Sequence, residues 1–196
     1  MSYDIPKRFK NHQRMKKLLL FALVGSLAVS TASAQMTEDK SKRPSPPATA
    51  TQTIKGGVTV TINYSQPAVK GRTIGGKEIA TYGSVWRTGA NEATTIVLSQ
   101  PVTVEGKTLA AGTYCLFTIP TATDWTVIFN SELTTPDGKP TWGAYTYHQD
   151  KDVLRVTVPS GKSPAFTERM TFTIGKDGKV SLLWGDTEVD FHVKKA

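Results

Sequence analysis

From residue 48 to the end of the chain, apolar and polar residues alternate with a period of two. Val58, Val60, Ile62 and Tyr64 are separated by Thr59, Thr61 and Asn63, and Leu154, Val156 and Val158 by Arg155 and Thr157. Met170, Phe172 and Ile174 enclose Thr171 and Thr173, and Val180, Leu182 and Trp184 follow at the same spacing. Val189, Phe191 and Val193 enclose Asp190 and His192. Successive side chains of a strand point to opposite faces, so each run predicts a strand with one face on a core and one in water. Residues 114–119 and 125–129 are apolar on both faces, which predicts central strands covered on both sides.

Turn chemistry separates these runs. Gly56-Gly57 stands between 49–54 and 58–64, Glu105-Gly106 between 102–104 and 107–109, and Asp177-Gly178 between 170–174 and 180–184. Asp-Gly supplies the positive φ that a tight hairpin needs. About nine short strands joined in this way predict an all-β fold, an antiparallel β-sandwich of jelly-roll-like or flattened-barrel form. Residues 65–91 and 131–152 break the alternation as two long loops rich in aromatic and charged groups. Long loops on a rigid sheet are where function concentrates.

The amino-terminal part follows a different logic. Met15-Lys16-Lys17 precedes an apolar run over 18–24, small and apolar residues over 25–33, and Ala32-Ser33-Ala34. A basic start, a short apolar core and a small-x-small end predict a secretory signal peptide over 1–34, with Met15 as an alternative start. The uncharged stretch 18–35 is nominally long enough for a membrane anchor, but its second half is rich in Ser, Thr and Ala. Residues 35–47 are polar, carry Pro44, Pro46 and Pro47, and read as a flexible tether to a single domain over 48–196. The location predicted is periplasmic or secreted.

Cleavage after Ala34 changes the charge argument. Lys7, Arg8, Lys10, Arg14, Lys16 and Lys17 leave with the signal against Asp4 alone, so the formal +8 falls to about +3. The basic character belongs to the leader, and nucleic-acid binding loses its support. A single cysteine, Cys115, excludes an intramolecular disulfide, and because Gln35 rather than a cysteine directly follows Ala34, no lipid anchor is expected at the cleavage site. Cys115 sits mid-strand and reads as a core thiol.

Candidate chemistry falls in the two loops. Trp86, Arg87, Asn91 and Glu92 offer a stacking ring, a five-donor cation, an amide and a carboxylate, a set suited to a polar ligand. The competing reading pairs Arg87 with Glu92 and uses Trp86 to plug one end of the sandwich. Trp142, Tyr145 and Tyr147 resemble the aromatic surfaces of sugar-binding sandwiches, with Tyr145 and Tyr147 on one strand face; buried rings packed under a loop are the alternative. His148, Asp150 and Asp152 fall on one side of an extended segment but lack the further ligands of a calcium loop, so no metal or cofactor is expected. No Gly-x-Ser-x-Gly or HExxH occurs, and His192 is expected to face water.

Several of these segments together carry a resemblance. Lys70-Gly71-Arg72, the run from Tyr82 through Trp86-Arg87-Thr88-Gly89-Ala90-Asn91-Glu92 to Thr94, Ala111-Gly112-Thr113-Tyr114, Trp142-Gly143-Ala144-Tyr145 and residues 152–156 resemble the bacterial DUF2911 family over about residues 45–193. The resemblance implies an exported, single-domain envelope protein and brings no activity or catalytic residues with it. The functional expectation is a non-enzymatic β-sandwich that binds a glycan, a peptidoglycan fragment or an envelope protein through Trp86, Arg87, Asn91, Glu92, Trp142 and Tyr145. The alternatives are a glycosidase-like hydrolase pairing Glu92 with Asp150 or Asp152, and a purely structural envelope protein.

Overall fold

The computed structural model describes residues 39–196. The signal peptide expected over 1–34, the alternative start at Met15 and the expected cleavage after Ala34 lie outside the described residues. Nine strands follow: β1 (Pro47–Thr53), β2 (Thr59–Ser65), β3 (Thr94–Leu98), β4 (Val102–Val104), β5 (Lys107–Leu109), β6 (Gly112–Pro120), β7 (Asp124–Asn130), β8 (Asp152–Ile174) and β9 (Lys179–Lys195). All pair antiparallel in the order β1-β2-β3-β6-β7-β8-β9-β4-β5. The sheet is open, with β1 and β5 at its edges, and folds over on itself as a sandwich.

Two strands are much longer than the alternation predicts. Residues 154–158 and 170–174 belong to one strand, β8, of 23 residues, and 180–184 and 189–193 to one strand, β9, of 17. Gly161 and Pro164 look like a break in the sequence, yet the chain passes them as irregularities, with register shifts between Lys162 and Thr167 and again before Thr171. The first half of β8 pairs with β7, whereas its second half pairs with β9 alone among the strands. One strand thus serves both layers. In β9, Gly185 at φ +57 bends the run, and the Val193 amide reaches back to the Gly178 carbonyl at 2.9 Å. A Cβ on Gly178 would lie 1.9 Å from the Val193 carbonyl oxygen, so close approach as well as its φ of +88 requires glycine there.

The inward faces are those of the alternation. Val60, Ile62 and Tyr64, Ile96 and Leu98, Val156 and Val158, Met170 and Phe172, and Val189, Phe191 and Val193 join one buried cluster. Tyr64 meets Phe172 edge-on at 5.0 Å, and Phe129 meets Phe191 at 6.1 Å. β6 and β7 are covered on both sides. Their outer residues Cys115, Phe117 and Ile128 form a second cluster, roofed by Val85 from the first long loop and by Ala144 and Tyr147 from the second. The two loops are therefore packed against the sheet.

Candidate functional site

The site begins where the central motif interrupts a strand ladder. β6 pairs with β3 from Gly112 to Leu116, but Thr118 pairs with Trp86, their amides and carbonyls exchanging bonds of 2.7 and 2.9 Å. Residues 87–93 bulge out between these two pairings. Thr88 sits at φ +52, a region unfavourable for a β-branched residue, and Asn91 at φ +59, which asparagine tolerates better. Buried bonds hold the excursion: the Thr88 hydroxyl lies 3.1 Å from that of Thr118, and the Thr94 hydroxyl donates to the Thr88 carbonyl at 2.8 Å. Gly89 leaves room for this, since a Cβ there would stand 2.7 Å from the Thr94 hydroxyl oxygen.

The second loop docks onto the bulge through its backbone. Glu92 and Trp142 form an antiparallel bridge, with Ala93 N–H donating to Thr141 O at 3.0 Å and Gly143 N–H to Asn91 O at 3.1 Å. Tyr147 fixes the far end of this loop. Its hydroxyl donates to Asp152 at 2.6 Å and accepts from Arg155 at 2.5 Å, and burial, then Asp152, push it up to about 12.

The first loop bounds a cleft of about 510 Å³ whose walls include Arg72, Ala80, Trp86, Arg87 and, from β9, Trp184, with Tyr145 as the second loop's contribution. The Trp86 ring stacks on Trp184 at 5.2 Å and 6°, and meets Trp125 edge-on at 5.9 Å. One face of Trp86 is thus committed to the core. Tyr145 is 85% exposed, a free ring at the mouth. Arg87 has its Nε buried without a hydrogen-bond partner. Its Nη1 and the Tyr145 ring crowd one point, lying 3.3 and 3.2 Å from where a Cβ on Gly143 would be. Gly143, at φ +64, lets the guanidinium and the ring lie side by side.

The other candidates are engaged elsewhere. Glu92 does not pair with Arg87, correcting that expectation: it accepts from Lys40 at 2.9 Å and from Arg43 at 2.9 and 3.0 Å. Burial alone would raise its carboxyl, but the Lys40 and Arg43 bonds and its own backbone amide hold it at about 2. Asn91 donates to the Ser45 carbonyl at 3.0 Å. Residues 40–45, read as part of a tether, therefore meet the domain at the central motif. Trp142 is 48% exposed and does not line the cleft.

Tyr145 and Tyr147 do not share a strand face. Residues 143–146 form a turn, which sends Tyr145 outward while Tyr147 packs on Phe117 at 5.0 Å. Nor do His148, Asp150 and Asp152 converge, because a single 3-10 turn over Gln149–Lys151 replaces the extended segment. His148 turns to Glu132 at 2.6 Å, Asp150 to Lys151 at 3.3 Å, and Asp152 to Tyr147 and Arg155. Cys115 is buried, its thiol pushed up to about 11 by that burial. His192 is exposed and contacts Glu105.

Arg72 and Trp184 were less visible as site residues. Arg72 stood in a short basic segment before the central motif, and Trp184 read as one more inward residue of an alternating run. Nothing in the spacing reports that Trp184 would meet Trp86 from across the sandwich.

The architecture is an antiparallel β-sandwich with two loops docked on each other and a cleft bounded by the first of them, Trp184 and Tyr145. The chain belongs to the family described as "Protein of unknown function (DUF2911)", whose model matches residues 45–193. The chain matches no curated protein and no solved structure.

Proposed function

We propose that this is an exported, non-enzymatic envelope protein that binds a glycan or peptidoglycan fragment in the cleft bounded by its first long loop and by Tyr145 of the second. The observation that carries the reading is the meeting of the loops: the Glu92–Trp142 bridge sets the exposed Tyr145 ring beside Arg87 over a cleft of about 510 Å³. Small-ligand sites are concave, with an aromatic platform and a few placed polar groups. Ala80 at φ +50, in the cleft wall, and Thr88 beside Arg87 hold backbone conformations that cost energy, and such strain clusters at binding sites. Of the six residues expected at the site, Trp86, Arg87 and Tyr145 would contact ligand, while Asn91, Glu92 and Trp142 position the loops that carry them. Export rests on the basic, apolar and small-residue series that ends at Ala34.

A hydrolase is disfavoured by the chemistry of the carboxylates. A general acid must hold a proton near neutral pH, whereas Glu92, at about 2, is ionised and doubly paired. Glu78 is the one carboxylate among the cleft-lining residues, and it accepts the Thr73 amide at 2.5 Å.

Trp86 lines the cleft and reports on it. Titration of the protein with a peptidoglycan digest should change tryptophan fluorescence, and Tyr145→Ala should weaken the response at least about tenfold with an unchanged melting temperature. A digest that leaves wild-type fluorescence unmoved refutes the reading.

A further inference from the structure

Arg87 carries the inference. It makes no hydrogen bond or ion pair among the described residues, and its Nε is buried without a partner. A buried donor on a charged group that has given up water without gaining an acceptor is unfavourable. The surroundings do not compensate it. Glu92, the carboxylate five positions along, is taken by Lys40 and Arg43, while Glu78 accepts the Thr73 amide and is held below the ordinary carboxylate range by that bond and by the charge of Arg72. A second guanidinium, Arg72, lines the same cleft. Its Nε and Nη2 are fixed by the Val69 and Ala68 carbonyls at 3.0 and 2.6 Å, leaving Nη1 uncommitted. The lining therefore holds two cations against one carboxylate, and the Arg87 donors are unspent.

We infer that the cleft selects an anionic ligand, an acidic sugar whose carboxylate is received by Arg87 with Arg72 as a second cation, while Tyr145 covers the sugar ring. The inference rests on the binding reading above and adds the ligand's charge. A planar guanidinium matches the two oxygens of a carboxylate, and Tyr145 supplies the flat apolar surface that a pyranose face needs. The oxyanion is the chemistry common to a sugar acid and to free phosphate.

Calorimetric titration of the purified protein with N-acetylmuramate, glucuronate, N-acetylglucosamine, glucose and inorganic phosphate tests the inference. Each acid should bind at least about tenfold tighter than its neutral counterpart and than phosphate. Arg87→Gln should bring the acids down to the level of the neutral sugars, and Arg87→Lys should restore part of the difference. Arg72→Gln, scored in the same way, keeps the comparison open if an Arg87 variant fails to fold. Equal affinity for acid and neutral sugars overturns the anion inference and leaves the cleft as a sugar site. Phosphate binding tighter than either acid overturns the sugar-acid assignment in favour of a phosphate site. Failure of all five probes while a peptidoglycan digest still shifts tryptophan fluorescence overturns the inference alone; failure of the digest as well removes the binding reading with it.

Discussion

Arg87 and Glu92 are five positions apart in one motif, yet they have opposite relations to the fold. Glu92 is a structural anion: its folded value of about 2 lies below the ordinary 4.5, so ionised Glu92 favours the folded state. That contribution is fully present above about pH 4.5 and is lost as pH falls through about 2. With Lys40 half-exposed, it should amount to on the order of 1–2 kcal/mol. Glu92→Gln should therefore lower stability at pH 7 by that amount and flatten its decline between pH 4.5 and 2, read by chemical denaturation across pH. An unchanged acid limb would remove Glu92 from this role. Arg87 anchors nothing among the described residues and its Nε is buried without a partner, so Arg87→Met should leave the melting temperature unchanged or raise it. A fall of many degrees would make Arg87 part of the architecture, and the motif a signature of the fold. The residue types pointed to this loop, but the pairing Arg87–Glu92 did not follow from their proximity in sequence. Lys40 and Arg43 reach Glu92 from a segment about fifty positions earlier, a long-range contact to which local spacing is blind.

At the scale of elements, period-two alternation was a sound guide to facing and a poor one to length. Phe172 is buried against Tyr64 while Thr173 is exposed, as the alternation predicts. Phe172→Ala should cost about 3–5 kcal/mol and Thr173→Ala little, and equal denaturation midpoints would contradict that facing. Strand ends are another matter. Gly161 and Pro164 mimic turn signals, but pairing with β7 on one stretch and β9 on the next carries β8 through. β3 begins at the last residue of the central motif, where Thr94-Thr95-Ile96-Val97-Leu98 is β-branched enough to be a strand but shows no clean alternation to set it off from the motif. The apparent strand over 145–147 became a turn because Gly143 takes positive φ and Tyr147 is drawn inward by Asp152 and Arg155. Gly143→Ala should accordingly cost about 1–2 kcal/mol from its backbone alone. It should also displace Tyr145 and Arg87 together, visible as weakened sugar binding beyond what a 1–2 kcal/mol loss of stability explains.

For the whole molecule, the doubly covered centre and the two-loop cleft have one origin. β6 and β7 are apolar on both faces because the sandwich core takes one face and the two long loops take the other. Once the loops are committed to that outer face, their backbones meet at the Glu92–Trp142 bridge, and that meeting brings Tyr145 to the cleft that the first loop and Trp184 bound. The sequence therefore disclosed the need for a cover over β6 and β7, while the identity of the cover depended on contacts between residues dozens of positions apart. This arrangement orders local stability. Amides of β6 and β7 should exchange slowest, and those of the edge strands β1 and β5 fastest among the strands. The Trp86 amide is the discriminating one, for it lies in a loop by sequence but donates to the Thr118 carbonyl at 2.7 Å as part of the β6 ladder. It should be protected like a strand residue, as should the Gly83 amide, which donates to the Pro120 carbonyl at 2.8 Å, whereas the exposed Thr81 amide, with no backbone acceptor among the described residues, exchanges rapidly. A saturating sugar acid should then slow exchange at 84–90 and 143–146 without altering β6, because the cleft walls tighten while the platform beneath is already formed. Protection that rises uniformly across β6, β7 and both loops would instead mean that ligand stabilises the fold as a whole, and the division between a rigid platform and a responsive cleft would fail.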